Sequence, residues 1–162
     1  MAVCPTPAVA SACPGADLDP APAAQPGAAA AVVCLVNRER TTRKLPALRD
    51  SALLRAAAGR YARRMVSGGF FDHVSPTGST LRVRLARVGY PGGAQCTLGE
   101  NIATGSGQLG APSAIVAAWM ASPGHRRNIL ARDFRDVGIG VASGMPGAGA
   151  GATYVADFGR RG

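Results

Sequence analysis

The chain holds only two histidines, His73 in "FFDHVSPTG" and His125 in "WMASPGHRRNIL". An imidazole changes charge near neutral pH and is the commonest metal ligand, so each is a candidate to move a proton, to bind a metal or simply to tie the fold together. Glu100, in "GENIATG", is an acid inside a short apolar run. No HExxH and no GxSxG is present, and no clear Ser-His-Asp set. Ser122, His125 and Glu100 can be drawn as a triad. Ser122, however, reads as the N-cap of a helix opening at Pro123, a role worth ~1 kcal/mol. A serine whose oxygen is engaged by N–H groups makes a poor nucleophile.

The elements that position these residues follow from periodicity. "AAAAVVCLVNRERTTR" predicts a helix with Val32, Leu35 and Val36 at helical spacing. A longer helix follows in "LPALRDSALLRAAAGRYARRMVSGG", capped by Asp50 or Ser51 and stopped at Gly68-Gly69. "FFDHVSPTGST" is a loop and "STLRVRLARVGY" a short helix on which Leu81, Leu85 and Val88 align. "GENIATG" reads as a strand, and "APSAIVAAWMASP" as a helix from Pro112 that buries Ile115, Val116 and Trp119. Trp119 is therefore a core anchor rather than a ligand platform, and the Asn101 amide serves to pin a loop backbone. "DVGIGVASG" and "ATYVADFG" alternate as two strands joined by a Gly-rich hairpin loop; Tyr154, Ala156 and Phe158 share one face, Val155 and Asp157 the other. Helices first and an antiparallel sheet last define an α+β domain.

The bulk properties suit one domain plus a tail: 162 residues, with a Pro/Ala-rich stretch over residues 1–27 and the domain over 28–162. No run of about 18 apolar residues is present, so no transmembrane segment is expected. The net charge of +9 is nearly all arginine, with Lys44 the only lysine. Arg60, Arg63 and Arg64 suit a solvated helix face, and no basic strip is interleaved with stacking aromatics, so a specific nucleic-acid partner is not expected. A mild attraction to an anionic envelope fits the charge. Cys4, Cys13, Cys34 and Cys96 form an even set without CxxC spacing, which favours disulfides over zinc. The small-x-small pattern of "AVASA" resembles the end of a signal peptide, so export is expected. In an exported chain a Cys13–Cys34 bridge would staple the tail to the first helix, with the partners of Cys4 and Cys96 left open.

"FFDHVSPTG", "GENIA", "WMASPGHRRNIL", "DVGIGV" and "YVADFG", in this order, resemble the CAP superfamily of cysteine-rich secretory, antigen 5 and pathogenesis-related (SCP-like) proteins, in its bacterial secreted branch. The resemblance spans about Val32 to Gly159. It implies an α-β-α sandwich, with helices packed on a small three-stranded antiparallel sheet, and a cleft holding two histidines and two acids. His73, Glu100 and His125 fall on three of those positions, and Ser122 stands where the second acid is usual. On this resemblance His73 and His125 face each other across the cleft as ligands of a weakly held divalent cation such as Zn²⁺, with Glu100 as a third ligand or as a group that orients a water or an imidazole. A His-Glu hydrogen bond that only ties the cleft loop to the sheet is the plainer alternative. The function implied is a secreted or extracellular, cell-envelope-associated, monomeric binding domain for a lipid, sterol or envelope glycan. The alternatives are a metal-dependent hydrolase or peptidase with Glu100 as base, and a structural envelope-associated module.

Overall fold

The computed structural model of the chain describes residues 12–19, 25–90 and 96–161. Helix α1 runs Gln25–Thr41 and is followed by a two-residue strand β1, Arg49–Asp50. Helix α2 is Ala52–Gly68 and α3 is Leu81–Arg87. Strand β2, Thr97–Gly105, leads through a short 3₁₀ turn to α4, Pro112–Ala121, and α5, Pro123–Leu130. Strands β3, Asp136–Ser143, and β4, Ala152–Arg160, close the domain.

Each α2 terminus is set by the residue foreseen for it. Ser51 accepts from the Leu54 N–H at 3.4 Å, and Gly69 adopts a left-handed φ of 64° while its N–H returns to the last turn. Thr80 caps α3 in the same way as Ser51 caps α2.

The sheet has four strands in the order β1-β3-β4-β2. β2, β3 and β4 are antiparallel, as expected, but β1 joins β3 in parallel, so the sheet is mixed and not three-stranded antiparallel. The reason is local. Asn37 clamps the Leu48 backbone through both its amide atoms, at 3.0 and 2.8 Å. That directs Arg49 N to Arg135 O and Ser51 N to Val137 O, at 2.9 and 2.8 Å. Two residues are too few to leave a period in the sequence.

The sheet is buried on both faces. Val137, Ile139, Tyr154, Ala156 and Phe158 meet α1 and α4 residues such as Val32, Val36, Ile115 and Trp119. On the other face Ile102, Ala142 and Val155 meet Ala58, Tyr61, Ala62 and Met65 of α2. The glycines of "DVGIGV" lie on this second face and allow α2 to sit directly on β3. A Cβ at Gly138 would fall 2.1 Å from Arg55 N, and one at Gly140 2.2 Å from Ala58 C.

The start of the described chain is stapled down. Cys13 and Cys34 form a disulfide with Cα atoms 5.7 Å apart, as expected, and Cys13 is buried. Ala16 O accepts from Ser113 N at 2.8 Å, which ties the same segment to α4. Cys96 is unpaired among the described residues, and Cys4 lies outside them.

Candidate functional site

β2 is an edge strand, and the candidate site is built on its free side and on its α2 face. The outward carbonyls of β2 are covered by side chains from the helices that follow it. Trp119 Nε1 donates to Ile102 O at 3.1 Å, and Asn128 Nδ2 to Glu100 O at 3.2 Å. Asn101 Nδ2 donates to His125 O at 3.0 Å, while its Oδ1 accepts from Asn128 at 2.8 Å. These bonds fasten "WMASPGHRRNIL" to "GENIA" and bring α5, with His125, to the edge of the sheet. Trp119 and Asn101 thus have the structural roles expected of them.

The His73 loop reaches the same edge from the α2 side. Tyr61 OH donates to Asp72 O at 2.7 Å. Arg84 Nη1 donates to His73 O at 3.0 Å and to Ser79 O at 2.9 Å. Arg84 is itself buried, its guanidinium 3.4 Å from the centre of the Tyr61 ring.

Glu100 is the junction. Its Oε1 lies 2.8 Å from His73 Nδ1, and its Oε2 accepts from Arg84 Nη2 at 2.5 Å. The carboxylate is almost fully covered, whereas the His73 side chain is 53% exposed. Glu100 thus contacts the His73 imidazole with one oxygen and Arg84 with the other, a geometry that ties the His73 loop to the sheet and sets the ring's orientation. A carboxylate beside Nδ1 fixes the proton on that nitrogen and leaves Nε2 of neutral His73 as the free lone pair.

Asp157 sits opposite Glu100 in the β2–β4 register and opposite Gly138 in β3–β4. It is fully buried, and no donor reaches either oxygen. Burial first, and the charge of Glu100 second, push its pKa well above the usual carboxylate range. Burial thus favours its neutral form, in which the O–H can donate toward Glu100.

The two histidines are perturbed in opposite directions. The hydrogen bond to Glu100 raises His73 above its ordinary value, against a smaller opposing effect of burial. Burial lowers His125, and the nearby charge of His73 lowers it further. His125 is half-buried and its ring makes no hydrogen bond among the described residues. No group of three or more His, Cys, Asp or Glu side chains suited to a metal occurs among the described residues.

Ser122 departs from expectation. It occupies the N-cap of α5, but its side chain makes no capping bond. Its N–H instead closes the end of α4 on Ala118 O and Trp119 O, both at 3.2 Å. Nor does Ser122 Oγ bond His125 or Glu100 among the described residues, so no Ser-His-Glu relay is assembled. The residues that sequence reasoning missed are Arg84, Tyr61 and Asp157. Arg84 lies three residues after Leu81, in phase with the apolar stripe of α3, and that phase is a readable sign of burial.

An α-β-α sandwich with two histidines near one sheet edge defines the class, and comparison with known proteins gives the family. Residues 33–158 match the model of the cysteine-rich secretory protein family (CAP), and the chain belongs to that family. It is 39% identical over 116 residues to the uncharacterized protein YkwD of Bacillus subtilis (strain 168), covering 70% of this chain and 42% of that one. An extracellular protein containing an SCP domain from Bacillus anthracis has a similar structure, with a TM-score of 0.70 and 29% identity over 85% of this chain and 41% of that one. An outer surface protein of Borrelia burgdorferi shares the fold at a TM-score of 0.68 and 20% identity, over 81% of this chain and 90% of that one. The chain thus spans about two fifths of the length of the two Bacillus proteins. No helix among the described residues is long and apolar enough to cross a membrane.

Proposed function

We propose that this chain is an extracellular, non-catalytic binding domain, whose cleft around His73, Glu100 and His125 takes a lipid, sterol or cell-envelope ligand and holds a divalent cation weakly between the two imidazoles. The observation that carries the reading is the double engagement of Glu100. A general base needs a free lone pair within reach of substrate. Glu100 is buried and shared between Arg84 and His73, which suits holding His73 in place and not taking up protons. The exposed Phe71 and Val74 flank His73 in sequence and supply an apolar rim for the ligand. The extracellular location is supported by the extracellular and outer surface proteins that share the fold.

The donor set fits weak metal binding. His73 offers Nε2 with its other nitrogen held by a carboxylate, the arrangement usual for metal-binding histidines. Two imidazoles without a third protein ligand make an open site of low affinity. A bound cation would supply a Lewis-acidic point at the mouth of the cleft.

Calorimetric titration with zinc tests this on the parent, His73→Ala and His125→Ala. Weak binding by the parent and none by either variant is expected, together with no hydrolysis of peptide or ester substrates. Equal binding by all three proteins would remove the metal site. Turnover that depends on Glu100 would favour the hydrolase reading instead. Salt-sensitive binding to intact envelope that ignores both histidine substitutions would favour a structural envelope module.

A further inference from the structure

A second site lies between α2 and α3, lined by Arg84 but not by Glu100. It is a cavity of about 460 Å³, within the range of small-molecule sites. Arg60, Arg63, Arg64, Arg84 and Arg87 line it together with Ser79, and no acid does. From Ser51 to Gly99 the chain has seven arginines and a single acid, Asp72. Asp72 is occupied with the Val74 N–H. Among the described residues, Arg60, Arg63, Arg64 and Arg87 pair with no carboxylate, whereas Arg43, Arg49, Arg55 and Arg161 do.

Ser79 Oγ and Arg84 Nε have no accessible surface, so the groups open to the cavity are the guanidinium groups of the exposed Arg60, Arg63, Arg64 and Arg87, held around it by α2 and α3.

We infer that this cavity binds a small organic phosphate, with the phosphoryl oxygens held among the guanidinium groups of Arg60, Arg63, Arg64 and Arg87. A phosphate ester has three free oxygens and close to two negative charges, against two oxygens and one charge for a carboxylate, and so matches several guanidinium groups. The cavity is larger than free phosphate needs. Its remaining wall includes Ala57 and Val88, against which the ester's organic part lies. The site shares Arg84 with the histidine cleft but does not depend on the reading proposed for that cleft.

Glucose 6-phosphate, inorganic phosphate and glucose are the probes, titrated calorimetrically into the whole protein at fixed ionic strength. Glucose 6-phosphate should bind with Kd on the order of 10–100 μM, inorganic phosphate more weakly and glucose not at all. Arg60 pairs with no carboxylate among the described residues, so Arg60→Ala should not lower the thermal midpoint, while affinity drops about tenfold for the lost hydrogen bond to a charged group. Arg60→Ala with Arg87→Ala should weaken binding further, and His125→Ala should leave it unchanged. Equal affinity in the parent, Arg60→Ala and the double arginine variant would overturn the site. So would binding to phosphatidylglycerol vesicles that survives the double arginine substitution while glucose 6-phosphate fails to bind, since that result means surface charge alone.

Discussion

Glu100 holds an imidazole with one oxygen and a guanidinium with the other, and this sets how the site titrates. His73 has a raised pKa, so its pairing stabilises the fold fully below about pH 6.5, and that contribution fades as pH rises through the raised value. His125 has a lowered pKa; its neutral form suits the fold above about pH 6.5, and that advantage is lost as pH falls through its folded value. An NMR titration of the two ring signals should therefore place His73 above and His125 below the reference, and the reverse order would contradict the geometry. Zinc affinity should begin to fall with acid already above about pH 6.5, because His73 protonates first and a protonated imidazole cannot ligate. Asp157 also links stability to pH. Its pKa is raised in the fold, so the native state holds a proton that the unfolded chain releases near the ordinary carboxylate value. Stability from this group is full below about pH 3.9 and declines as pH rises toward the folded pKa, by up to about 1.4 kcal/mol per pH unit. Asp157→Asn cannot ionise and its amide can still donate to Glu100, so its stability relative to the parent should grow from pH 4 to pH 8 in thermal melts. Parallel pH profiles for the two proteins would show that Asp157 is not held neutral. The histidines and Glu100 were visible in the sequence as rare, chemistry-bearing types. Arg84 and Asp157 were not singled out, because their partners lie on elements distant in sequence and one charged residue in an apolar period gives no hint of what it meets.

α4 and the two closing strands were legible because each carries a period, Ile115, Val116 and Trp119 on α4 and Val137, Ile139 and Val141 on β3, whereas β2 was read from a short Gly-bounded apolar run and α5 from Ser122 and Pro123 at its start. β1 was hidden by its length, and the Ser122 hydroxyl makes no capping bond although the sequence pattern expects one. The closest packing between elements was also concealed, since glycine signals close approach without saying what approaches. Here it is the α2 backbone, which lies on Gly138 and Gly140. Gly140→Ala should thus be costly despite its size. Its methyl group would meet the Ala58 and Gly59 backbone, and overpacking against backbone that cannot rotate away should destabilise by about 3 kcal/mol or more. Denaturant melts would measure this, and a loss below about 1 kcal/mol would mean that α2 can slide off the sheet at little cost. Asn128→Ala tests the opposite edge. It removes the bonds to Glu100 O and Asn101 Oδ1, leaving polar groups of β2 without partners, and should cost about 1–3 kcal/mol while loosening α5. Hydrogen exchange should then rise in α5 before it rises in α2, because α5 depends on these bonds and α2 is held by the sheet face.

Taken as a molecule, the domain is a sheet closed between two helical layers, with the start of the described chain bound to the outside of one of them. That segment has little apolar surface of its own, and two anchors keep it in place. One is the Cys13–Cys34 disulfide, the other the hydrogen bond from Ser113 N to Ala16 O. The disulfide spans 21 positions, and closing a loop of that size removes enough freedom from the unfolded chain to stabilise the fold by about 3 kcal/mol in the chain-entropy model. The sequence supplied this pairing through cysteine count and a presumption of export, with no geometric signal, so its energetic weight needs direct measurement. For a chain of this size, about 3 kcal/mol corresponds to a shift of roughly 6–12 °C in the thermal midpoint. Reduction should lower the midpoint by that amount, and Cys34→Ser should reproduce the shift and make the protein insensitive to reductant. The α2 layer should be undisturbed, because the staple and Ala16 touch only α1 and α4. Phosphate binding between α2 and α3 should accordingly survive reduction at temperatures below the new midpoint. A midpoint unchanged by reductant would mean that the bond to Ser113 and the packing of Ala16 hold the segment without the disulfide.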